Sequence, residues 1–125
     1  MRRSRADRQR AHRAGHGAEW AAILYLRCKG YRIIARRYTI KGGEIDIVAR
    51  RGDALAFVEV KLRSSLDSAR IAIEPAKRRR MARAARAFLA NQAYATRLTL
   101  RADAIYLAPW RWPLHIPAAF ELDID

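Results

Sequence analysis

Disulfides, cysteine-rich metal clusters and membrane spans are all missing from this sequence. Its one cysteine, Cys28, has no second cysteine to pair with and cannot build a cysteine zinc site. No uncharged apolar run approaches the roughly 18 residues of a membrane-spanning helix. The N-terminus is basic and lacks the apolar stretch of a cleavable secretory signal. A cytoplasmic protein without a membrane anchor is therefore expected. Acidic residues are also scarce: 12 Asp and Glu stand against 26 Lys and Arg, a net charge of +14. That imbalance points to polyphosphate partners first and anionic membrane surfaces second, with simple solubility as the bland account. What is abundant is apolar residues, at 51% of 125 positions, enough for one domain with a real core but not for two.

The stretch Gly43 to Leu62, GEIDIVARRGDALAFVEVKL, carries the strongest local signal. Two strand-like runs flank Gly52-Asp53, and glycine supplies the positive φ that a two-residue hairpin loop needs. With Gly52 and Asp53 as the loop, Arg51 faces Ala54, Asp46 faces Glu59 and Glu44 faces Lys61. Side chains alternate along a strand, so these four charged residues project from one face. Ile45, Ile47, Val58, Val60 and Leu62 form the other, a core face. Opposed Cβ atoms lie about 5 Å apart, where like charges repel. A sheet gains nothing from setting Asp46 against Glu59, and a divalent cation between them would remove the repulsion.

The rest of the chain frames this hairpin. Residues 1–13 hold six arginines and read as a basic disordered arm, either lying on phosphates or merely solvated. From about Ala14 to Lys29 the pattern is helical, with Ala22, Ile23 and Leu26 on an apolar stripe that Trp20 and Leu24 widen, and Gly30 as its C-cap. Glu19 falls in that stripe; spacing alone slightly favours an edge position with the carboxylate in water. Tyr31 to Ile40 is a first strand. A polar loop, Arg63 to Ala72, precedes Glu74-Pro75, which opens a second helix running to about Tyr94 with Met81, Ala84, Ala85 and Phe88 buried. Its Lys77, Arg79, Arg83 and Arg86 suit phosphate contact and equally suit a solvated face. Leu98 to Leu107 is a last strand. The proline-punctuated tail with Trp110, Trp112, Ile116 and Phe120 reads as an apolar strap, with base stacking by the tryptophans a secondary reading. The single domain spans 14–125 in the order αβββαβ.

Phosphodiester hydrolysis needs a hard cation on oxygen ligands, a placed water and positive charge near the attacked phosphate. Asp46, Glu59 and the carbonyl of Val60 can bind the cation, Mg²⁺ or Mn²⁺. Lys61 can position the water and stabilise developing negative charge. Glu19 can join directly or through water if helix 1 crosses this face. Arg63 can clamp a phosphate if the third strand runs one residue further. Glu44 can pair with Lys61 and orient it.

These residues also carry a resemblance. GEIDIVA, the Gly-Asp turn, FVEVKxR, AEWAAxxYLRxKGY, AKRRR and the closing WxxHIPAAF resemble the YraN-like family of uncharacterised bacterial proteins, over nearly everything from Gly15 to Phe120. That family is placed in the restriction-endonuclease-like PD-(D/E)xK superfamily and is similar in its core to archaeal Holliday-junction resolvases. The resemblance implies an α/β fold with a mixed sheet, a central hairpin and helices packed on it. It implies Asp46 and Glu59 as metal ligands, Lys61 as catalytic lysine and Glu19 as the helix-1 acid. Ile45 stands where the superfamily often has proline, and Ala18 separates Gly17 from Glu19 where many relatives have Gly-Glu. Dimers are common among resolvase-like proteins, so a homodimer is one expectation, although no exposed apolar helix marks an interface. Function stays open between a metal-dependent nuclease acting on DNA rather than RNA, branched or single-stranded forms included, and a non-catalytic nucleic-acid-binding module of the same fold. An assembly protein that uses its charge on RNA or a protein partner is a weaker third.

Overall fold

Gly52, at φ 61°, opens the two-residue loop as the sequence requires, and Arg51 pairs with Ala54. A computed structural model describes residues 5–64 and 73–124. Serines 65 and 68 of the polar loop and Arg2 and Arg3 of the basic segment lie outside the described residues. So do the side chains of Arg5, Arg8, Arg10 and Arg13. The elements in order are α1 (Arg5–Cys28), β1 (Arg32–Ile40), β2 (Gly43–Arg51), β3 (Ala54–Leu62), α2 (Pro75–Asn91), a short 3₁₀ helix (Ala93–Arg97), β4 (Thr99–Leu107) and β5 (Leu114–Phe120). The backbone is thus helical from Arg5, well before the expected start at Ala14. The tail expected as a strap pairs as a fifth strand. No helix among the described residues is long and apolar enough to cross a membrane.

The five strands lie in the order β1-β2-β3-β4-β5, antiparallel throughout except for the parallel β3–β4 pair. Parallel neighbours need a long crossover, and α2 supplies it. This mixed sheet with helices on it is the restriction-endonuclease-like α/β arrangement expected from the sequence. Helix α1 ends in a Schellman cap, Tyr31 N–H to Leu26 O and Gly30 N–H to Arg27 O, both 3.0 Å, with Tyr31 and Leu26 buried together. Pro75 opens α2 behind Glu74, as expected.

Both faces of the sheet are core. Ala18, Ala22, Ile23 and Leu26 of α1 pack on Ile47, Ala49, Ala56, Val58 and Ile105. Ala84, Ala85 and Phe88 of α2 pack on Ile45, Val48, Leu55 and Phe57 from the other side. The expected single core face is therefore corrected. Ile45 and Ile47 belong to opposite clusters, so the two-residue alternation breaks at Asp46. Its neighbour strand breaks there too: Arg37 takes φ 52°, and Arg36 and Arg37 both reach α1, stacking on Trp20 and pairing with Glu19. Leu62 ends up 47% exposed. Trp20 and Leu24 are exposed as well, so the buried stripe of α1 is narrower than its apolar composition suggests. Close packing of α2 on β2 depends on Gly43, where a Cβ would sit 2.8 Å from both Ala84 N and Arg80 O.

A buried polar cluster fastens the far edge. Asp103 on β4 is fully buried and takes two bonds from Arg101, at 2.9 and 2.8 Å, one from His115 Nε2 at 2.8 Å and one from Ala118 N–H at 3.0 Å. Lys29 Nζ lies 2.6 Å from His115 Nδ1, which makes Nδ1 the acceptor and leaves the ring proton on Nε2 for Asp103. The register between β4 and β5 shifts at this level, where Ala118 has φ 52° and turns its N–H toward the carboxylate. Asp103 thus fills the bulge of β5 around Pro117, a residue with no N–H to offer the ladder.

These bonds hold the Asp103 carboxyl down at about 2 in spite of its burial. Its contribution is present in full above the unfolded value of about 3.9 and is lost as pH falls through about 2. Asp103→Ala strands Arg101 and His115 and is expected to cost about 3–5 kcal/mol in urea unfolding at neutral pH. Loss of hydrogen-exchange protection should be concentrated in β5. A uniform loss, or none, would show that the cluster does not hold the edge.

Candidate functional site

The hairpin ladder runs from Arg51↔Ala54 only as far as Ile47↔Val58. Beyond that level each strand follows its outer neighbour. β2 stays with β1 to Gly43↔Ile40, and β3 stays with β4 to Leu62↔Leu107. The sheet therefore forks, and Asp46 and Glu59 stand at the fork in the register the sequence implied. Splaying would leave Val60 N–H without a strand partner. Asp46 Oδ2 accepts that bond at 2.8 Å, which ties the two arms together through a side chain.

Glu59 is 2% exposed. Lys61 Nζ approaches its Oε1 and Lys77 Nζ its Oε2, each at 3.5 Å. Even so, Oε2 has no hydrogen-bond partner. Desolvation and then the charge of Asp46 push the Glu59 carboxyl up to about 7, against the pull of Lys77 and Lys61. Burial raises Asp46 also, opposed first by the Val60 N–H bond and then by Lys77. Asp46 has a hydrogen bond of its own, and its charge resists the ionisation of Glu59.

Glu19 is buried, not at a solvent edge. The turned-in Arg37 donates to its Oε2 at 2.8 Å, while Oε1 has no partner. Its charge is among the smaller causes that raise Asp46, so α1 does bring this carboxylate toward the fork. Among the described residues, however, no three His, Cys, Asp or Glu side chains close into a metal-holding group. The oxygen donors that could take a cation are the Asp46–Glu59 pair, two carboxylates that repel each other when charged, with Glu59 Oε2 lacking a hydrogen bond. Two carboxylates suit an ion that keeps most of its waters, as Mg²⁺ does, and do not make an all-protein cage.

The remaining expected residues divide. Glu44 is not opposite Lys61, because the ladder has already ended. It pairs with Arg80 of α2 at 3.4 Å, and the lysine-orienting role is withdrawn. Arg63 continues the β3–β4 pairing by one bond, N–H to Leu107 O at 2.8 Å, which keeps it at the site's end of the sheet. Lys77, grouped by sequence with the phosphate-facing helix, is drawn into the fork against Glu59. Arg79, Arg83 and Arg86 line a groove of about 360 Å³ on α2, closed opposite by Glu121 and Asp123. Arg83 donates to Gly42 O at 3.1 Å and Arg86 to the Asp123 carbonyl. Sequence reading missed Lys77 and Arg37 as partners of the two buried glutamates. A basic residue just inside the crossover helix was visible, but its target was not, and nothing local announces the positive φ of Arg37.

A mixed α/β domain with two opposed carboxylates, Glu59 buried and Asp46 half-buried, and a lysine at a sheet fork defines the class. Within that class the chain belongs to the Uncharacterised protein family UPF0102, whose match covers residues 18–107 and so takes in Glu19, Asp46, Glu59, Lys61 and Lys77. It is 59% identical over 117 residues to a UPF0102 protein of Methylocella silvestris, covering 94% of each chain. Identity to a UPF0102 protein of Methylobacterium nodulans is 55% over 119 residues, 94% of this chain and 92% of the relative. A UPF0102 protein of Sinorhizobium medicae is 47% identical over 122 residues, 96% of this chain and 100% of the relative. The YraN-like resemblance read from the motifs is this family.

An acid whose pKa is raised in the folded state destabilises the fold when it must ionise. In metal-free buffer, stability should therefore fall as pH rises from the ordinary 4.5 of glutamate through about 7. Glu59→Gln removes that ionisation, so its urea-unfolding free energy should be flatter over this range and exceed wild type by about 1 kcal/mol or more above pH 7. Parallel curves for the two proteins would mean that Glu59 is fully compensated by its lysines.

Proposed function

We propose that this protein is a divalent-metal-dependent nuclease that hydrolyses phosphodiester bonds of DNA, branched or single-stranded forms included. The observation that carries the reading is the fork itself. It sets Asp46 and Glu59 together beside Lys61 and leaves Glu59 Oε2 buried without a hydrogen bond. Asp46, Glu59 and the carbonyl of Val60 would hold Mg²⁺ or Mn²⁺. When bound, the ion polarises a phosphoryl oxygen and offsets negative charge at the reacting phosphate. Lys61, 3.5 Å from Glu59 Oε1, would orient a water and face the developing charge. Lys77 sits on the opposite oxygen of Glu59 and keeps positive charge beside the phosphate. Arg63 at the end of β3 and the arginines of α2 contribute phosphate attraction over a wider surface. Glu19, held by Arg37, acts from behind Asp46 on its charge.

A second reading has an observation in its favour. Lys61 and Lys77 each lie 3.5 Å from Glu59, so the carboxylate already has two basic partners. That suits a module that binds nucleic acid and does not cut it.

Cleavage decides between the two. On a panel of duplex, single-stranded, flap and four-way DNA with Mn²⁺, Lys61→Ala is expected to lower the rate by about 10²–10³ with metal-free affinity nearly unchanged. Asp46→Asn should lower cleavage and Mn²⁺ affinity together. Wild type that binds DNA but cuts nothing, or activity that survives both substitutions, would leave the binding module as the reading.

Binding itself has a separate test. Replacing Arg79, Arg83 and Arg86 with alanine should make the log–log salt dependence of duplex binding shallower by about 0.9 for each phosphate that is no longer neutralised. An unchanged slope would assign this helix face to solvent and to its own Gly42 and Asp123 carbonyls.

A further inference from the structure

The turn between β4 and β5 presents two tryptophans to solvent. Trp110 is fully exposed and Trp112 nearly so, with Arg111 between them and Pro109 and Pro113 on either side. Trp110 takes φ 61°, a left-handed conformation that a bulky residue seldom adopts. Among the described residues neither ring joins a core cluster: the apolar residues of β5 that do pack are Leu114, Ile116, Ala119 and Phe120. Two large apolar side chains left in water by a stiff, strained turn are a cost to the isolated chain, which a ligand can offset.

The position of the turn says which ligand. Lys61 pairs with Tyr106 and Leu62 with Leu107, so the turn leaves β4 at the same end of the sheet as the fork. Trp110 is four residue steps beyond Tyr106, a reach of at most about 14 Å of chain. The rings therefore lie a few nucleotides from any phosphate seated at Lys61. Charge agrees, since Arg111 separates the two tryptophans in sequence and the chain carries a net +14. Bases paired in a duplex have their faces covered, whereas unpaired bases offer them. A planar aromatic beside a basic side chain is the usual platform for the latter.

We propose that Trp110 and Trp112 stack on unpaired bases, so that the β4–β5 turn selects single-stranded nucleic acid, or the unpaired arm of a branched one, for the fork. This rests on the nucleic-acid reading of the fork and sharpens its substrate class.

The test uses the full chain, a labelled oligo(dT) and a labelled duplex. In Trp20→Phe protein, where only the turn tryptophans fluoresce, oligo(dT) should quench emission and duplex should not. The double variant Trp110→Ala, Trp112→Ala should bind oligo(dT) about 10- to 100-fold more weakly, with duplex affinity changed less than about twofold. Phenylalanine at both positions should restore most of the loss, which also controls for any damage to the turn. Wild type that binds neither probe overturns the nucleic-acid reading and this proposal with it. If wild type binds both probes and the double variant loses nothing, or loses equally on both, the stacking site is refuted while the parent reading stands. Unchanged oligo(dT) affinity together with loss of a dimer in sedimentation, or of binding to anionic vesicles, would assign the rings to self-association or to a membrane surface instead.

Discussion

One hydrogen bond, from Val60 N–H to Asp46 Oδ2, stands at the point on which the site depends. Backbone donors inside a sheet must find acceptors, and here the neighbouring strand has turned away. The carboxylate that closes the gap is thereby drawn in, half-buried, beside Glu59. Asp46 thus joins the two arms of the fork and also loads the site with charge. Its repulsion, added to burial, holds Glu59 near neutrality. Lys61 and Lys77, each 3.5 Å from Glu59, relieve part of that load, and a proton relieves it as pH falls.

The two helices serve the fork from opposite faces. α1 packs through Ala22, Ile23 and Leu26 and brings the Glu19–Arg37 pair behind Asp46. α2 packs through Ala84, Ala85 and Phe88, with Phe88 edge-on to Tyr38 at 5.4 Å and to Phe57 at 6.0 Å, and brings Lys77 onto Glu59. Gly43 lets α2 lie this close. Beyond β3, the parallel strand β4 makes the far edge answer to the same geometry. Asp103 organises β5 around its bulge, and the turn joining β4 to β5 opens beside the fork. The Asp103 cluster itself lies on β4 at the level of Val58, one residue from Glu59 along the neighbouring strand, and it reaches β5 through His115 and Ala118.

Much of this was legible from local pattern. The Gly52-Asp53 turn and the flanking alternation determined the hairpin and its register, because a two-residue loop admits one pairing and strand side chains repeat every two residues. Pro75 marked the start of α2, and helical spacing identified Met81, Ala84, Ala85 and Phe88 as its buried face. Asp46, Glu59 and Lys61 could be grouped for the same reason, as could their membership of a family with an endonuclease-like fold. Only the tertiary structure decided the rest. Periodicity cannot show a strand whose alternation breaks, so Ile45 and Ile47 read as one face and are two. Register alone put Glu44 against Lys61, but register holds only while strands remain paired, and the fork ends it. Burial of Glu19 by Arg37, the reach of Lys77 and the closure of Lys29 on His115 and of Tyr31 on Arg101 join residues distant in sequence. Their positions follow from how helices lie on a twisted sheet, a long-range packing outcome that no local window of residues contains.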